Sequence, residues 1–278
     1  MGSLEKPPIA EPEVFGSNAF APQEIAERVQ LVGVKKARLP LAAQLILSVL
    51  GGAFIGMGAL FYVLIHSDTG LGFAARQLVA AMSFSLGMLL VVVAGAELFT
   101  GNNLIVMARA QGALGKGEML RNWTIVFAGN VVGTAGLALL VWLSGHPGMN
   151  GGAVGREYMH IAEAKAALPF MEALWRGVLC NALVCLAIWM SYAGRSVIDK
   201  AVAIMFPIAA FVAAGFEHSV ANLYYFAMAL LLEPQASVVL LGGMLRNIVA
   251  VVIGNVIGGS VLVGFVYYLI YVRRPRGA

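Results

Sequence analysis

Apolar residues in this chain gather into blocks too long for strands or for the surface helices of a soluble domain. A hydrocarbon core about 30 Å thick is crossed by about 20 helical residues. Six regions reach that length: Pro40 to Ile65, Arg76 to Met107, Asn122 to Ser144, Phe170 to Tyr192, Ala201 to Leu232, and Val238 to Val272. The second and fifth overrun a simple span and carry polar interruptions, GAELFTGNN and GFEHSVANLY. Both are expected to be broken helices. Ahead of the first block, PQEIAERVQLVGVKKA sets Ile25, Val29 and Val32 at helical spacing with charges elsewhere. That pattern predicts a short amphipathic helix on the cytoplasmic face, either a surface anchor or a gate.

Composition sharpens this to a membrane protein. Of 278 residues, 60% are hydrophobic and 12% charged, against about 25% charged in ordinary soluble domains. The formal charge of +4 calls for no nucleic-acid partner, because the basic residues sit between apolar blocks. Lys35, Lys36, Arg38, Arg109, Lys116, Arg121, Arg195, Lys200, Arg273, Arg274 and Arg276 fall on one set of loops, and few fall on the other. By the positive-inside rule both termini are cytoplasmic. Cys180 and Cys185 fit neither a CxxC redox pair nor a metal knuckle and read as packed, reduced thiols. Residues 1 to 20 lack the apolar core of a cleavable signal. The expected organisation is a cytoplasmic tail and amphipathic helix over 1–38, a six-span multi-pass domain over 39–273, and a cytoplasmic end over 274–278, in the plasma (inner) membrane.

The chain also repeats itself. GAELFTGN (Gly95 to Asn102) and GFEHSVAN (Gly215 to Asn222) share Gly, Glu and Asn at one spacing. Downstream, Arg121, Asn122 and GNVVG (Gly129 to Gly133) match Arg246, Asn247 and GNVIG (Gly254 to Gly258). Three spans separate the copies, so the second is inserted upside down: an inverted repeat of halves about 40–144 and 170–272. The fold expected is an all-α membrane protein, six helices in a three-plus-three inverted repeat with helices two and five broken.

Irregular backbone is tolerated at membrane depth only where it lines a cavity, so the breaks mark the transport path. Helix N-termini exposed there favour an anion. His218 is the histidine inside a predicted span, whereas His66, His146 and His160 lie at span ends or in loops. An intramembrane imidazole is costly and points to function, lending positive charge or a proton to a weak-acid anion; the bland alternative is a neutral ring bonded within the bundle. Glu97 and Glu217 would oppose anion flow as free charges, so they read as supports at the breaks. Asn102, Asn130, Asn222 and Asn255 read as braces or path-lining groups. Thr100 either meets the substrate opposite His218 or caps the helix that resumes after Gly101. Lys165, in a loop, either steers anions or is simply solvated.

At these residues the sequence resembles the formate/nitrite transporter family, over about Phe15 to Val272. VVAGAELFTG (Val92 to Gly101) and RGVLCNALVCLA (Arg176 to Ala187) are similar to its two signatures, and FVAAGFEHSVANLY (Phe211 to Tyr224) resembles the histidine segment of formate channels. The resemblance implies an aquaporin-like subunit in a homopentamer, one pore per protomer, with no enzymatic activity and no cofactor or metal. It also implies an outer constriction of Phe84 and Phe211, and an inner one of Met88, Leu98 and Val184. Between them His218, Thr100, Asn181 and Asn222 would line a chamber, and Lys165 would attract anions at the outer mouth. Met88 replaces a usual leucine, and Gly101-Asn102 replaces a Ser-Thr pair. The function expected is passage of small monovalent anions, formate first, across the lipid bilayer, with a proton relay at His218 and a cytoplasmic formate-metabolising enzyme as a possible partner. Nitrite, hydrosulfide, lactate or acetate are the alternatives within the family. A haem-binding membrane subunit needs paired intramembrane axial ligands, and a coupled symporter needs intramembrane carboxylates free to alternate.

Overall fold

The computed structural model describes residues 19–273; the expected tail over 1–18 and the end over 274–278 lie outside the described residues. Within them the chain is helical apart from an isolated bridge between Ala19 and Gly194. The order is α1 (Pro22–Ala37), α2 (Leu41–His66), α3 (Phe73–Leu89), α4 (Val106–Ala110), α5 (Lys116–Leu143), α6 (Ala153–Ala167), α7 (Phe170–Ser191), α8 (Val197–Ala213), α9 (Ser219–Leu232), α10 (Val238–Val256) and α11 (Val266–Tyr271). A π-helical stretch, Leu90–Gly95, extends α3, and another, Ile257–Phe265, joins α10 to α11. Five of these helical runs are long and apolar enough to cross a membrane: α2, α3 with its extension, α5, α7, and α10 through α11.

The interruption in the second apolar block follows from its glycine. Gly95 turns the backbone to φ +90°, a region that side chains with a Cβ avoid, and Ala96 continues extended before a 3-10 turn over Gly101–Ile105 and then α4. The fifth block breaks the same way. Gly215, at φ +70°, ends the segment after α8, and His218 is the extended N-cap of α9.

Close helix crossings hold the bundle. A Cβ on Gly133 would collide with the carbonyl oxygen of Val49, which fixes α5 tightly on α2. A Cβ on Gly258 would collide with the carbonyl oxygen of Val178, doing the same for the α10 run on α7. Without a hydrophobic drive between helices in lipid, such backbone-to-backbone approach supplies much of the association.

Three elements differ from expectation. α5 starts at Lys116 rather than Asn122, because Glu118 accepts a hydrogen bond from the Gly115 amide (2.7 Å) and another from Arg38 Nε (3.0 Å), stabilising a polar first turn that an apolar count passes over. α6 occupies what reads as a loop. Its Val154, Tyr158, Ala162 and Ala166 are buried at four-residue spacing, one face of a helix too short and too polar to count as a span. α1 is more than a surface helix, for it buries Ile25, Ala26, Val29, Gly33 and Ala37, while Val32 is only partly covered.

Candidate functional site

Each break is clamped by the same set of hydrogen bonds. In the first, the Glu97 amide donates to the Leu47 carbonyl (3.0 Å), Asn130 Nδ2 donates to the carbonyls of Ser48 (2.7 Å) and Glu97 (2.9 Å), and the Phe99 amide donates to Asn130 Oδ1 (2.9 Å). In the second, the Glu217 amide donates to the Arg176 carbonyl (3.3 Å), Asn255 Nδ2 to those of Gly177 (2.8 Å) and Glu217 (3.0 Å), and the Ser219 amide to Asn255 Oδ1 (3.0 Å). Asn130 and Asn255 thus satisfy backbone groups that the broken ladders release, which buried backbone requires.

The carboxylates anchor a second layer. Asn102 Nδ2 donates to Glu97 Oε2 (2.7 Å) and Asn122 Oδ1 (2.9 Å), as Asn222 Nδ2 does to Glu217 Oε2 (2.6 Å) and Asn247 Oδ1 (2.8 Å). Lys36 Nζ lies 2.8 Å from Glu97 Oε1, and Lys165 Nζ 2.8 Å from Glu217 Oε1. Asn122 and Asn247 close each ring by donating to the carbonyls of Lys36 (3.1 Å) and Lys165 (3.0 Å). Lys165 therefore sits in the last turn of α6, paired and mostly covered, instead of free in a loop.

Sequence reasoning places Lys36 among the membrane-flanking basic residues and Asn122 and Asn247 in the repeat, and gives none of them a role at the breaks. A signal was present: Lys36-Ala37-Arg38-Leu39-Pro40 and Lys165-Ala166-Ala167-Leu168-Pro169 both read K-A-x-L-P. The buried faces match at the same offset, Ile25, Val29, Gly33 and Ala37 of α1 against Val154, Tyr158, Ala162 and Ala166 of α6.

The two clamps are not identical. Lys36 Nζ also donates to Asn102 Oδ1 at 3.0 Å, whereas Asn222 Oδ1 is buried without a partner among the described residues. Asn181 Oδ1 is likewise unpartnered, while its Nδ2 donates to the carbonyls of Thr100 (3.2 Å) and Asn255 (2.7 Å) and to Asn103 Oδ1 (2.8 Å).

His218 and Thr100 meet from the two breaks. Thr100 Oγ1 lies 2.9 Å from His218 Nε2, and the Ala221 amide donates to His218 Nδ1 at 3.1 Å. A backbone amide only donates, so Nδ1 holds a lone pair and a neutral ring carries its proton on Nε2, donating it to Thr100 Oγ1. Thr100 makes no side-chain cap bond, and its own hydroxyl proton is left free to donate.

Two cavities approach this pair from opposite ends of α2. One, about 520 Å³, is lined by Leu39, Leu47, Lys36, Glu97, Asn102 and Leu98; the other, about 410 Å³, by Tyr62, His66, Lys165, Phe84, Phe211 and His218. Phe84 and Phe211 are buried edge to face, 5.9 Å between ring centres, and the Phe211 ring stacks 5.9 Å from His218. Met88, Leu98 and Val184 are buried in the same core cluster.

This architecture recurs in known proteins. Residues 23–269 match the family model of formate/nitrite transporters. The chain is 38% identical to the formate channel FocA of Escherichia coli strain K12, over 91% of this chain and 95% of that one. To the formate channel BtFdhC of Bacillus thuringiensis it is 35% identical, over 91% and 96%. A solved pentameric formate channel with formate bound superposes with a TM-score of 0.77 at 33% identity, covering 84% of this chain and 98% of that one. An FNT family ion channel superposes at 0.79 and 30% identity, covering 89% and 98%. With the match spanning nearly all of the bundle, both breaks and the paired clamps, the chain belongs to the formate/nitrite transporter family.

Proposed function

We propose that this chain passes formate across the plasma (inner) membrane, as one protomer of a homopentamer with a pore in each subunit. The six apolar blocks form an inverted repeat, and the face that carries α1 is cytoplasmic, the side favoured by the charge bias of the loops. The identity to formate channels and the pentameric relative support this reading.

What supports the substrate class is the set of polar groups at and beside the two breaks. Thr100 offers a free hydroxyl proton, and Asn181 Oδ1 and Asn222 Oδ1 offer unpartnered acceptors. A carboxylate satisfies the donor alone; a neutral carboxylic acid, with one O–H and one C=O, satisfies donor and acceptor together. Burial between Phe84 and Phe211 on one side and Met88, Leu98 and Val184 on the other penalises the charged form and raises the proton affinity of an entering weak-acid anion. Formate enters a vestibule as the anion, takes up a proton from the vestibule water as it is desolvated beside the Thr100 and His218 pair, crosses the apolar zones as formic acid, and returns the proton to water on the far side. His218 serves by fixing Thr100 through its Nε2–H; a proton arriving at Nδ1 has first to displace the Ala221 cap.

The test is a proteoliposome flux comparison of formate, nitrite, hydrosulfide and acetate at two pH values, with His218→Gln and Thr100→Val beside the parent. Formate should move fastest, both variants should alter its pH dependence, and Thr100→Val should slow it about tenfold, the factor for losing one hydrogen bond of about 1.4 kcal/mol. Faster nitrite or hydrosulfide flux would reassign the substrate, and an unchanged pH profile in both variants would remove the proton step.

A further inference from the structure

A second histidine site rims the cavity beside Phe84 and Phe211. His66 closes α2, and its two ring nitrogens both face oxygens: Nδ1 lies 2.8 Å from Glu157 Oε1, and Nε2 lies 3.1 Å from Gln77 Oε1. The Gln77 amide is held in that orientation because its Nε2 donates to the Ala213 carbonyl at 3.1 Å. Flipping it would turn oxygen toward oxygen there. Neither facing atom can donate while Glu157 is ionised, so the ring satisfies both only with two N–H groups, as an imidazolium. A neutral ring would set one lone pair against another.

The surroundings suit that charge. The His66 and Glu157 side chains are 16% and 17% exposed, so their attraction is poorly screened. Tyr62, one turn back on α2, stacks on the ring with centres 5.0 Å apart and planes 15° from parallel. On α6, His160 Nδ1 is 3.7 Å from the same Glu157 oxygen and its side chain is open to water. From α3, Arg76 is near enough for its charge to reach Tyr62; from α9, Tyr225 senses Tyr62 and Glu157. Deeper in the cavity stand Lys165 and Glu217, already paired with each other, and Arg176, held by Glu172.

We propose that His66, Glu157 and Gln77 form a proton-binding site at this mouth, whose charge governs entry of the anion from that side. With the proton bound, the His66 and Glu157 pair is neutral and α2, α3, α6 and α8 are tied around the vestibule. With it lost, the mouth holds an uncompensated carboxylate that repels an entering anion, and the Nδ1 to Oε1 contact turns repulsive. The site is separate from the His218 and Thr100 pair and binds its proton whatever the permeant; its effect on entry rests on the anion-conducting reading above.

The test has two arms. In full-length protein labelled at histidine with 15N and 13C and placed in lipid nanodiscs, side-chain NMR reads each ring's protonation, with His66→Gln identifying the His66 signals. Expected is a ring carrying two N–H groups at pH 7 in the parent, with a larger neutral fraction at the same pH in Glu157→Gln, which removes the opposite charge in contact. Glu157→Gln keeps an acceptor for Nδ1–H, so it reads the charge even if His66→Gln folds poorly. A neutral ring at pH 7 in the parent overturns the proposal. In sided vesicles, raising the pH from 6 to 8 on this face alone should slow anion entry at least about twofold in the parent. The double variant His66→Gln/Glu157→Gln has an uncharged mouth at both pH values and should slow less over that step than the parent, keeping only the part due to the permeant's own proton uptake. The arm is run with formate, or with whichever anion the flux comparison shows to move; equal pH dependence in parent and double variant overturns the control of entry. Failure of formate itself to cross leaves the NMR result standing, which separates the two readings.

Discussion

Replacing Lys165 by methionine tests whether the clamps hold the breaks by charge pairing. The substitution keeps most of the apolar stem and removes the ammonium 2.8 Å from Glu217 Oε1. The Glu217 side chain is 3% exposed and would keep only neutral partners, Asn222 Nδ2 at 2.6 Å and Asn247 Nδ2 at 3.2 Å. Stranding one member of a buried pair costs about 3–5 kcal/mol, because the survivor stays desolvated. Lys165 is 17% exposed, so some water takes the ammonium's place and the lower part of that range applies, about 3–4 kcal/mol. At about 2–4 °C per kcal/mol for a chain of this size, Tm should fall by roughly 6–16 °C. Adding Glu217→Gln removes the stranded charge and should recover most of that fall, a coupling of about 2 kcal/mol or more. Lys36→Met should cost less, since Lys36 is 27% exposed and solvent reaches Glu97 more readily. Cys180 and Cys185 are fully buried, so a thiol-reactive fluorophore reports unfolding directly. The reasoning is refuted if Lys165→Met melts within about 2 °C of the parent, or if the double variant melts as low as the single.

Further outcomes follow from the same structure. Gly133→Ala and Gly258→Ala each force a Cβ onto a carbonyl oxygen of the neighbouring helix, so both should cost about 1–3 kcal/mol or more by overpacking, whereas Gly136→Ala, which meets open space, should leave the melt unchanged. His218→Ala loses the side-chain cap of α9 and should destabilise by about 0.5–2 kcal/mol, with His218→Asn, a good capping residue, restoring most of it in the same assay. Asp199, at the start of α8, accepts hydrogen bonds on its carboxylate from the Ser196 amide (2.9 Å) and the Arg195 amide (3.0 Å), while its own amide donates to Ser196 Oγ (3.1 Å) to complete a capping box; the bonds to the carboxylate, Ser196's first, hold it below the usual range. A lowered folded value means that stability is present above the ordinary carboxylate range and is lost as pH falls through the lowered one; the Tm difference between parent and Asp199→Ala should therefore be constant above about pH 5 and shrink toward pH 3.

The breaks and the histidine were legible because polar residues inside a long apolar run have few explanations, and Gly95 and Gly215 stand where the backbone needs them. The outer members of the repeat were harder to see. α6 and Lys165 lie between apolar blocks, and the buried face of α1 ends in Gly33 and Ala37, small residues that carry little hydrophobic signal while packing closely. Lys36 and Lys165 look like ordinary membrane-flanking lysines until the K-A-x-L-P match is noticed. The π-helical stretch over Ile257–Phe265 has no sequence counterpart that we can name. That Nδ1 of His218 is an acceptor was beyond reach of the sequence, since it depends on where one amide, that of Ala221, points.

The clamps also bear on temperature. Each break is bolted to two flanking helices by an asparagine, a carboxylate and a lysine, so moving either one means exchanging several buried hydrogen bonds at once. A carrier that rocks between two shapes has to make that exchange in every cycle, and its turnover would climb steeply on warming. A conduit whose breaks stay put pays only for stripping water from its permeant. Flux through this protein should therefore rise gently with temperature, with an apparent activation enthalpy near that of small-solute diffusion, and should persist in gel-phase lipid where large rearrangements stall.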